Sequence, residues 1–210
     1  MRLFGYRRAR APFLIAAAGL ALLWAGRLPA AEDAAAARPA GSGGKIRVLL
    51  LTGANNHAWR ETTAALVALF AASPRFAVTV NEHPWDMRPG DFAGCDLLFS
   101  NWNTFGKKTE EVRALEWGAE TRAAFLAWIR NGGGLFVIHA GGCLFYDWDE
   151  FQRLTGGAWE KQTFHPRVQE FPVRIADAAH PVTRGLTDFT TFDEPWQRVA
   201  DRNTARRVLA

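Results

Sequence analysis

Residues 45–57 read KIRVLLLTGANNH, and this stretch decides the fold. Its first part, residues 45–51, is a short run rich in β-branched residues and leucine that ends shortly before Gly53. A continuous run of this kind is typical of a strand that is buried on both faces of a parallel sheet. The polar residues 55–57 follow directly, so we expect this strand to deliver them to one edge of the sheet.

The rest of the domain alternates between strand and helix patterns. Residues 59–72 predict a helix with Trp59, Leu66, Leu69 and Phe70 on its inner face. Further segments follow in order: strands at 76–80 and 96–100, a helix at 121–130 and a fourth buried strand at 134–139. This alternation predicts an α/β fold in which a mainly parallel sheet carries helices on both faces.

Polar residues follow three of the predicted strands. Residues 55–57 come after the first strand, residues 101–103 after the third, and His139 with two glycines at the end of the fourth. Ligands bind beyond the carboxyl ends of the strands in such a sheet. Turn-like segments farther along are candidates to line the same crevice: Gly156-Gly157, His165-Pro166, His180-Pro181 and Asp193-Glu194.

The N-terminal segment has the parts of an export signal. Four early arginines precede an apolar run at 11–26, and small residues follow around Ala30 and Ala31. The run of about sixteen residues is shorter than the roughly twenty that span a bilayer. We therefore expect a signal peptide at 1–31, a flexible linker at 32–44 that is rich in alanine and glycine, and a single domain at 45–210. The mature protein is expected to be periplasmic or extracellular, with no membrane attachment.

The charge of the chain is concentrated in this leader. The formal net charge is +4, but five arginines precede the first acidic residue, Glu32, so the charge becomes −1 once the leader is removed. A nearly neutral domain lacks the electrostatic footprint of a nucleic-acid or anionic membrane partner. Neither partner is expected.

Five motifs in a fixed order resemble the trehalose-utilisation (ThuA-like) family, a branch of the class I glutamine amidotransferase-like fold. They are residues 50–59, residues 132–140, Gly156-Gly157 with His165-Pro166, residues 180–186, and Asp193-Glu194. The resemblance covers residues 45–196 and implies a flavodoxin-like parallel sheet. It also implies a small carbohydrate ligand.

Two features depart from the family pattern. The family usually has a tyrosine two places after the Asp-Glu pair, where this chain has Trp196. The family's domain also continues through further strands beyond the position of Ala210, so the domain is expected to be incomplete at its C-terminus, with one sheet edge unpaired.

Cysteine chemistry is disfavoured by the position of the two thiols. Glutamine amidotransferases of this fold carry a nucleophilic cysteine at the turn after a strand, and here His139 occupies that turn. Cys143 lies four residues farther on and is expected to be a buried small residue. Cys95 precedes the third strand, so the two sulfurs fall at opposite ends of a parallel sheet and no disulfide is expected.

Histidine and carboxylate side chains remain as candidates for chemistry. We expect His139, Glu194 and His57 to be catalytic, and His57, His139 and His165 to be candidate ligands of a divalent metal. The alternative is that the histidines only shape the strand-end turns. Candidate substrate-binding residues are Asn56, Asn101, Trp102, Gly141 and Trp159.

The leading hypothesis is an exported protein that acts on a carbohydrate of trehalose or keto-sugar type. Isomerase, lyase and hydrolase reactions all remain open, because each uses proton transfer beside a polarised sugar oxygen. One alternative is a non-catalytic carbohydrate-binding module on the same fold. Another is an amidotransferase-like relic with a structural role.

Overall fold

The computed structural model describes residues 44–210, so the predicted leader and nearly all of the predicted linker lie outside the described residues. Its centre is a sheet of four parallel strands in the order β2-β1-β3-β4. The strands are β1 (Ile46–Leu51), β2 (Phe76–Asn81), β3 (Leu97–Ser100) and β4 (Gly134–Val137). All four correspond to predicted strands, which confirms the parallel α/β fold.

Four α-helices accompany the sheet in the described part of the chain. They are α1 (Trp59–Ala71), α2 (Thr109–Ala114), α3 (Ala119–Arg130) and α4 (Asp149–Thr155). The connection from β2 to β3 instead contains two short 3₁₀ helices, Pro84–Asp86 and Pro89–Gly94. Within residues 44–210, no helix is long and apolar enough to cross a membrane.

The two faces of the sheet carry separate hydrophobic clusters. Val48 and Leu50 of β1 pack on the side that also holds Leu66 of α1. Leu51 belongs to the cluster that contains Phe125 and Trp128 of α3. Successive side chains of a strand point to opposite faces, so an apolar run such as β1 supplies both clusters. The prediction of helices on both faces is confirmed.

Two predictions of burial are wrong. Leu69 was expected on the inner face of α1, yet it is 68% exposed, because the inner stripe of this helix is carried by Thr63, Leu66 and Phe70. The fourth strand was expected to be buried, yet Phe136 is 51% exposed. Among the described strands, β4 pairs only with β3, so it forms an edge of the sheet and one face of Phe136 has no cover.

The second half of the domain is antiparallel. β6 (Gln169–Val173) pairs with β7 (Phe189–Asp193), and the short strands β5 (Gly157–Ala158) and β8 (Ala200–Asp201) pair with each other. These strands were not predicted. Pro172 lies within β6, and because proline lacks a backbone N–H, its presence in the sequence argues against a strand there. The turns after β5 and β7 carry His165 and Glu194.

Candidate functional site

The loop after β1 carries His57 and is tied to the end of β3. The Asn55 side chain accepts a hydrogen bond from the His57 backbone N–H at 2.9 Å and donates to the Asn101 carbonyl at 3.1 Å. The amide of Asn101 in turn donates to the Thr63 hydroxyl of α1 at 3.4 Å. These bonds hold His57 at the carboxyl edge of the sheet.

The turn after β4 carries His139 in an unusual backbone conformation. His139 begins a 3₁₀ turn, His139–Gly142, with a φ of 44°, in the left-handed region that non-glycine residues seldom adopt. Gly141 packs against the end of β3, where an added Cβ would lie 2.7 Å from the Ser100 carbonyl oxygen. The sharp bend therefore depends on the glycine that follows it, and it presents the imidazole at the crevice.

Three side chains from distant parts of the chain converge at this edge. His57, His139 and Glu194 each place one ligand atom within 4.8 Å of the other two. His139 Nε2 lies 3.5 Å from Glu194 Oε2, and the rings of His57 and His139 meet edge to face at 4.8 Å between centroids. Two histidines and one carboxylate thus form a compact, solvent-accessible cluster.

His165 stands on the other side of the Glu194 carboxylate. Its Nε2 lies 3.8 Å from Glu194 Oε2, and its Nδ1 is 2.9 Å from the Pro166 carbonyl oxygen, to which it donates. It is not one of the three residues whose ligand atoms converge. The structure therefore brings Glu194, rather than the predicted His165, to His57 and His139.

The environment of His139 favours its neutral form. Partial burial of the ring and the neighbouring His57 imidazole lower the pKa of His139, and the Glu194 carboxylate opposes this effect. Near neutral pH the imidazole is therefore uncharged and keeps a free lone pair. This is the form that ligates metals and accepts protons.

The three donors fit a divalent cation. Ligand bonds of about 2.1 Å in a tetrahedral shell place two ligand atoms roughly 3.4 Å apart, close to the 3.5 Å between His139 Nε2 and Glu194 Oε2. The three donor atoms together lie within 4.8 Å, so the cluster would contract around a bound cation. Two imidazoles and a carboxylate suit zinc and other first-row divalent metals. Three protein ligands leave further positions open, as at catalytic rather than structural sites.

Two cavities meet at the cluster. The first, which we name the aromatic compartment, has a volume of about 40 Å³ and is bounded by Phe105, Trp159 and Trp196. Its rings pack in sequence, with Phe105 and Trp159 at 5.5 Å and Trp159 and Trp196 at 4.8 Å between centroids. The Trp196 ring also lies 4.9 Å from the His139 ring. Trp196 stands where the family usually has a tyrosine, and it packs directly on the catalytic candidate.

The second cavity, which we name the polar groove, has a volume of about 390 Å³. Its lining includes Asn55, Thr62, Asn101 and Asp193. The residues Thr62 and Phe105, which line the two cavities, gave no signal in the sequence, because neither belongs to a motif or follows a strand directly.

One predicted substrate contact is incompatible with the structure. Trp102 is 0% exposed and lies within 5.5 Å of the rings of Trp117 and Phe145 in the core. It continues the alternation of β3 on the side of Leu98, so it points into the core and away from the crevice. Trp102 is a core residue.

The other predicted substrate contacts lie at the crevice in different roles. Asn56 is exposed, and its amide nitrogen lies 3.3 Å from His57 Nε2. Asn101 is buried and its amide donates to the Thr63 hydroxyl, while Gly141 is buried where it packs on the end of β3. Trp159 forms a wall of the aromatic compartment.

Neither cysteine is poised as a nucleophile, although Cys143 lines the aromatic compartment. Cys143 is buried, and burial raises the pKa of its thiol to about 11. Cys95 is also buried and donates its thiol hydrogen to the Phe92 carbonyl. Cys95 precedes β3 and Cys143 follows β4, so they occupy opposite ends of the sheet.

Comparison with known proteins places this chain in a family. The chain is similar to a ThuA-like protein of Parabacteroides merdae, with 25% identity, a TM-score of 0.64, and coverage of 79% of this chain and 67% of that one. It also shares the fold of a ThuA-like protein of Bacteroides uniformis, with 18% identity, a TM-score of 0.57, and coverage of 80% and 68%. No curated protein matches the chain. The family model described as trehalose utilisation matches residues 47–210, and the chain belongs to this ThuA family.

Proposed function

We propose that this protein is an exported, metal-dependent enzyme that acts on a small carbohydrate of trehalose or keto-sugar type. The observation that carries the proposal is the convergence of His57, His139 and Glu194 within 4.8 Å at the carboxyl edge of the sheet. Family membership supports the carbohydrate, and the signal-like leader supports export.

The side chains divide the chemistry between holding a cation and moving a proton. His57, His139 and Glu194 would hold the cation, which when bound polarises a sugar oxygen. His165 Nε2 faces the same carboxylate and can exchange a proton with a group bound in the aromatic compartment. Trp159 and Trp196 form an apolar wall of that compartment. Isomerisation, elimination and hydrolysis all use these steps.

Metal content tests the proposal directly. The mature domain is expected to bind about one equivalent of a divalent metal, measured by elemental mass spectrometry after dialysis. His57→Ala and His139→Ala should each lose most of it, because each removes one of three ligands. His83→Ala is the matched control, since His83 also follows a strand of the sheet but lies outside the cluster.

Two sets of results would contradict this proposal. If the wild-type protein never takes up stoichiometric metal, or if both histidine variants keep it, the metalloenzyme proposal fails. If the variants lose stability and show no change in metal or sugar binding, the histidines shape the turns and have no chemical role.

A non-catalytic carbohydrate-binding module is the second candidate, and the aromatic compartment favours it. Aromatic faces such as those of Trp159 and Trp196 stack on sugar rings in binding proteins. Under this function, trehalose would bind to wild type and to His139→Ala alike and would be recovered unchanged. Conversion of a sugar by the metal-loaded protein, lost in His139→Ala, would exclude it.

A further inference from the structure

The wall between the two cavities contains the candidate cation site. His57, Ala140 and Glu194 line both the aromatic compartment and the polar groove. A molecule that reaches the cluster can therefore approach from either side. The two sides differ in size and in chemistry, so the substrate has a preferred one.

Size separates the two cavities. A small-molecule site usually measures about 300–1,000 Å³, and a single water needs only about 10–15 Å³. The polar groove, at about 390 Å³, falls in the first range. The aromatic compartment, at about 40 Å³, admits only water-sized groups, because Trp159 and Trp196 pack against each other across it.

The groove also contains side chains that can bind sugar hydroxyls. Besides the apolar Ala58, Ile138 and Val168, the groove carries amides, a hydroxyl and two carboxylates, which are groups that pair with sugar hydroxyls. Asn55 and Asn101 are committed to each other and to neighbouring backbone. Asp193 is exposed, and among residues 44–210 the only hydrogen bond of its side chain is the one that Oδ1 accepts from the Glu194 N–H at 2.8 Å. Its carboxylate keeps acceptor capacity for a ligand.

We propose that the polar groove is the sugar subsite, in which Asp193 accepts hydrogen bonds from ring hydroxyls, while the aromatic compartment receives only the small group that reacts. This assignment rests on the proposed function and names the residue that determines sugar binding. It moves the sugar away from Trp159, which was a candidate substrate-binding residue, to the opposite side of Glu194.

Calorimetric titration of the metal-loaded protein with trehalose, maltose, glucose and fructose tests the assignment. Asp193→Asn keeps the shape of the side chain but removes its charge and half of its acceptors. The affinity for the bound sugar should fall about tenfold to a hundredfold, the range for loss of charged hydrogen bonds. Metal content should stay at the wild-type level.

Two further variants complete the experiment. Glu170→Gln neutralises another exposed carboxylate, on the neighbouring strand β6, and should leave the affinity unchanged within about twofold. Trp159→Leu alters the wall of the aromatic compartment and serves as the opposing variant rather than a control: it should lower sugar affinity less than Asp193→Asn does. Thermal unfolding of each variant checks that the fold is intact.

Several results would overturn the subsite. An unchanged affinity in Asp193→Asn, with a loss in Trp159→Leu, would place the sugar in the aromatic compartment and leave the proposed function standing. A loss of metal in Asp193→Asn would make Asp193 part of the cation site. Failure of the wild type to bind any of these sugars also overturns the assignment, and metal content then decides the proposed function separately.

Discussion

His139 combines the candidate chemistry of the site with a backbone conformation that costs stability. A left-handed φ of 44° places the Cβ of a non-glycine residue close to the following carbonyl, at a cost of roughly 1–2 kcal/mol. Such strain persists where the surrounding structure enforces it, and here the close packing of Gly141 on β3 does so. The bend lets the imidazole project into the crevice.

This strain predicts that glycine at position 139 gives a more stable protein than alanine, the reverse of the usual order. His139→Gly should be more stable to thermal unfolding than His139→Ala by about 1 kcal/mol, because glycine adopts a positive φ without penalty. The control is the same pair at His83, where φ is −130° and alanine should be the more stable residue. Equal stabilities at position 139 would show that the bend is relaxed in solution.

The raised pKa of the Cys143 thiol predicts that this cysteine is unreactive in the folded protein. With a pKa of about 11, roughly one thousandth of this thiol is ionised at pH 8, and the sulfur is also buried. Iodoacetamide at pH 8 should therefore leave Cys143 of the folded protein unmodified over the time in which the urea-unfolded chain is fully alkylated. Mass spectrometry of the peptides measures this, and rapid stoichiometric labelling in the folded state would revive a cysteine mechanism.

At the scale of elements, the turn between β1 and α1 depends on a single glycine. Gly53 has a φ of 102°, and a side chain there would collide with the backbone carbonyl of Glu82 after β2. Gly53→Ala should destabilise the domain by at least about 2 kcal/mol in urea unfolding, since both the conformation and the space are unsuitable. Gly90→Ala, in the open 3₁₀ segment, should be close to neutral. A neutral Gly53→Ala would contradict this packing.

A buried carboxylate joins the helices to the loops of the site. Glu116, whose side chain is 5% exposed, lies between α2 and α3 and accepts hydrogen bonds from the Thr104 hydroxyl and the Phe145 N–H, each at 3.0 Å. Arg122 of α3 pairs with it at 3.3 Å. The loops after β3 and β4 are therefore connected through one side chain, which steadies the loops that carry Asn101 and His139.

Glu116 predicts a particular dependence of stability on pH. Burial raises the pKa of Glu116 above its ordinary value of 4.5, so just above that pH the folded protein holds a proton that the unfolded chain has lost. Folding is thus favoured by this group at low pH, and its contribution declines as the pH rises through the raised pKa.

Glu116→Gln should abolish that contribution. The free energy of unfolding of wild type minus that of the variant is expected to be largest at about pH 4 and to fall towards neutral pH, as measured by urea titrations. Glu120→Gln, an exposed carboxylate in the first turn of α3, is the control. A difference that rises with pH would mean that the pairing with Arg122 outweighs burial.

For the molecule as a whole, the leader carries the excess positive charge, and we propose that it also directs export. We expect the exported form to begin near Glu32, as mass spectrometry of the periplasmic or secreted fraction would show. Introducing arginine at Leu14 and Leu20 interrupts the apolar run and should hold the intact chain in the cytoplasm. An intact chain that stays in the cell without those changes would contradict the proposed export.

The candidate site is built from both the parallel and the antiparallel parts of the domain. The parallel sheet supplies His57 and His139 from the ends of neighbouring elements, and the antiparallel β6–β7 pair supplies Glu194. Glu194 lies more than fifty residues from His139 along the chain, so the cluster depends on the fold of the whole domain. Residues of the antiparallel half also form walls of both cavities.

Local patterns in the sequence were sufficient to predict the strands and helices of the parallel half of the domain. Runs rich in β-branched residues and leucine, such as residues 45–51, and a helix closed by Asn131 and glycines, identify strands and helices because burial and capping act over a few neighbouring residues. The family motifs also placed His57, His139 and Glu194 among the candidates. Period-two alternation after β3 could have excluded Trp102 from the crevice, had that strand been extended to it.

The sequence by itself determined the fold class, the family and the residue types available for chemistry, because each follows from short-range patterns or motif order. Only the tertiary structure decided that Glu194 joins His57 and His139 while His165 stands behind it, and that a polar groove opens beside Asp193. Those arrangements depend on how the antiparallel strands approach the sheet, and the energies that set this approach come from contacts between residues far apart in the chain.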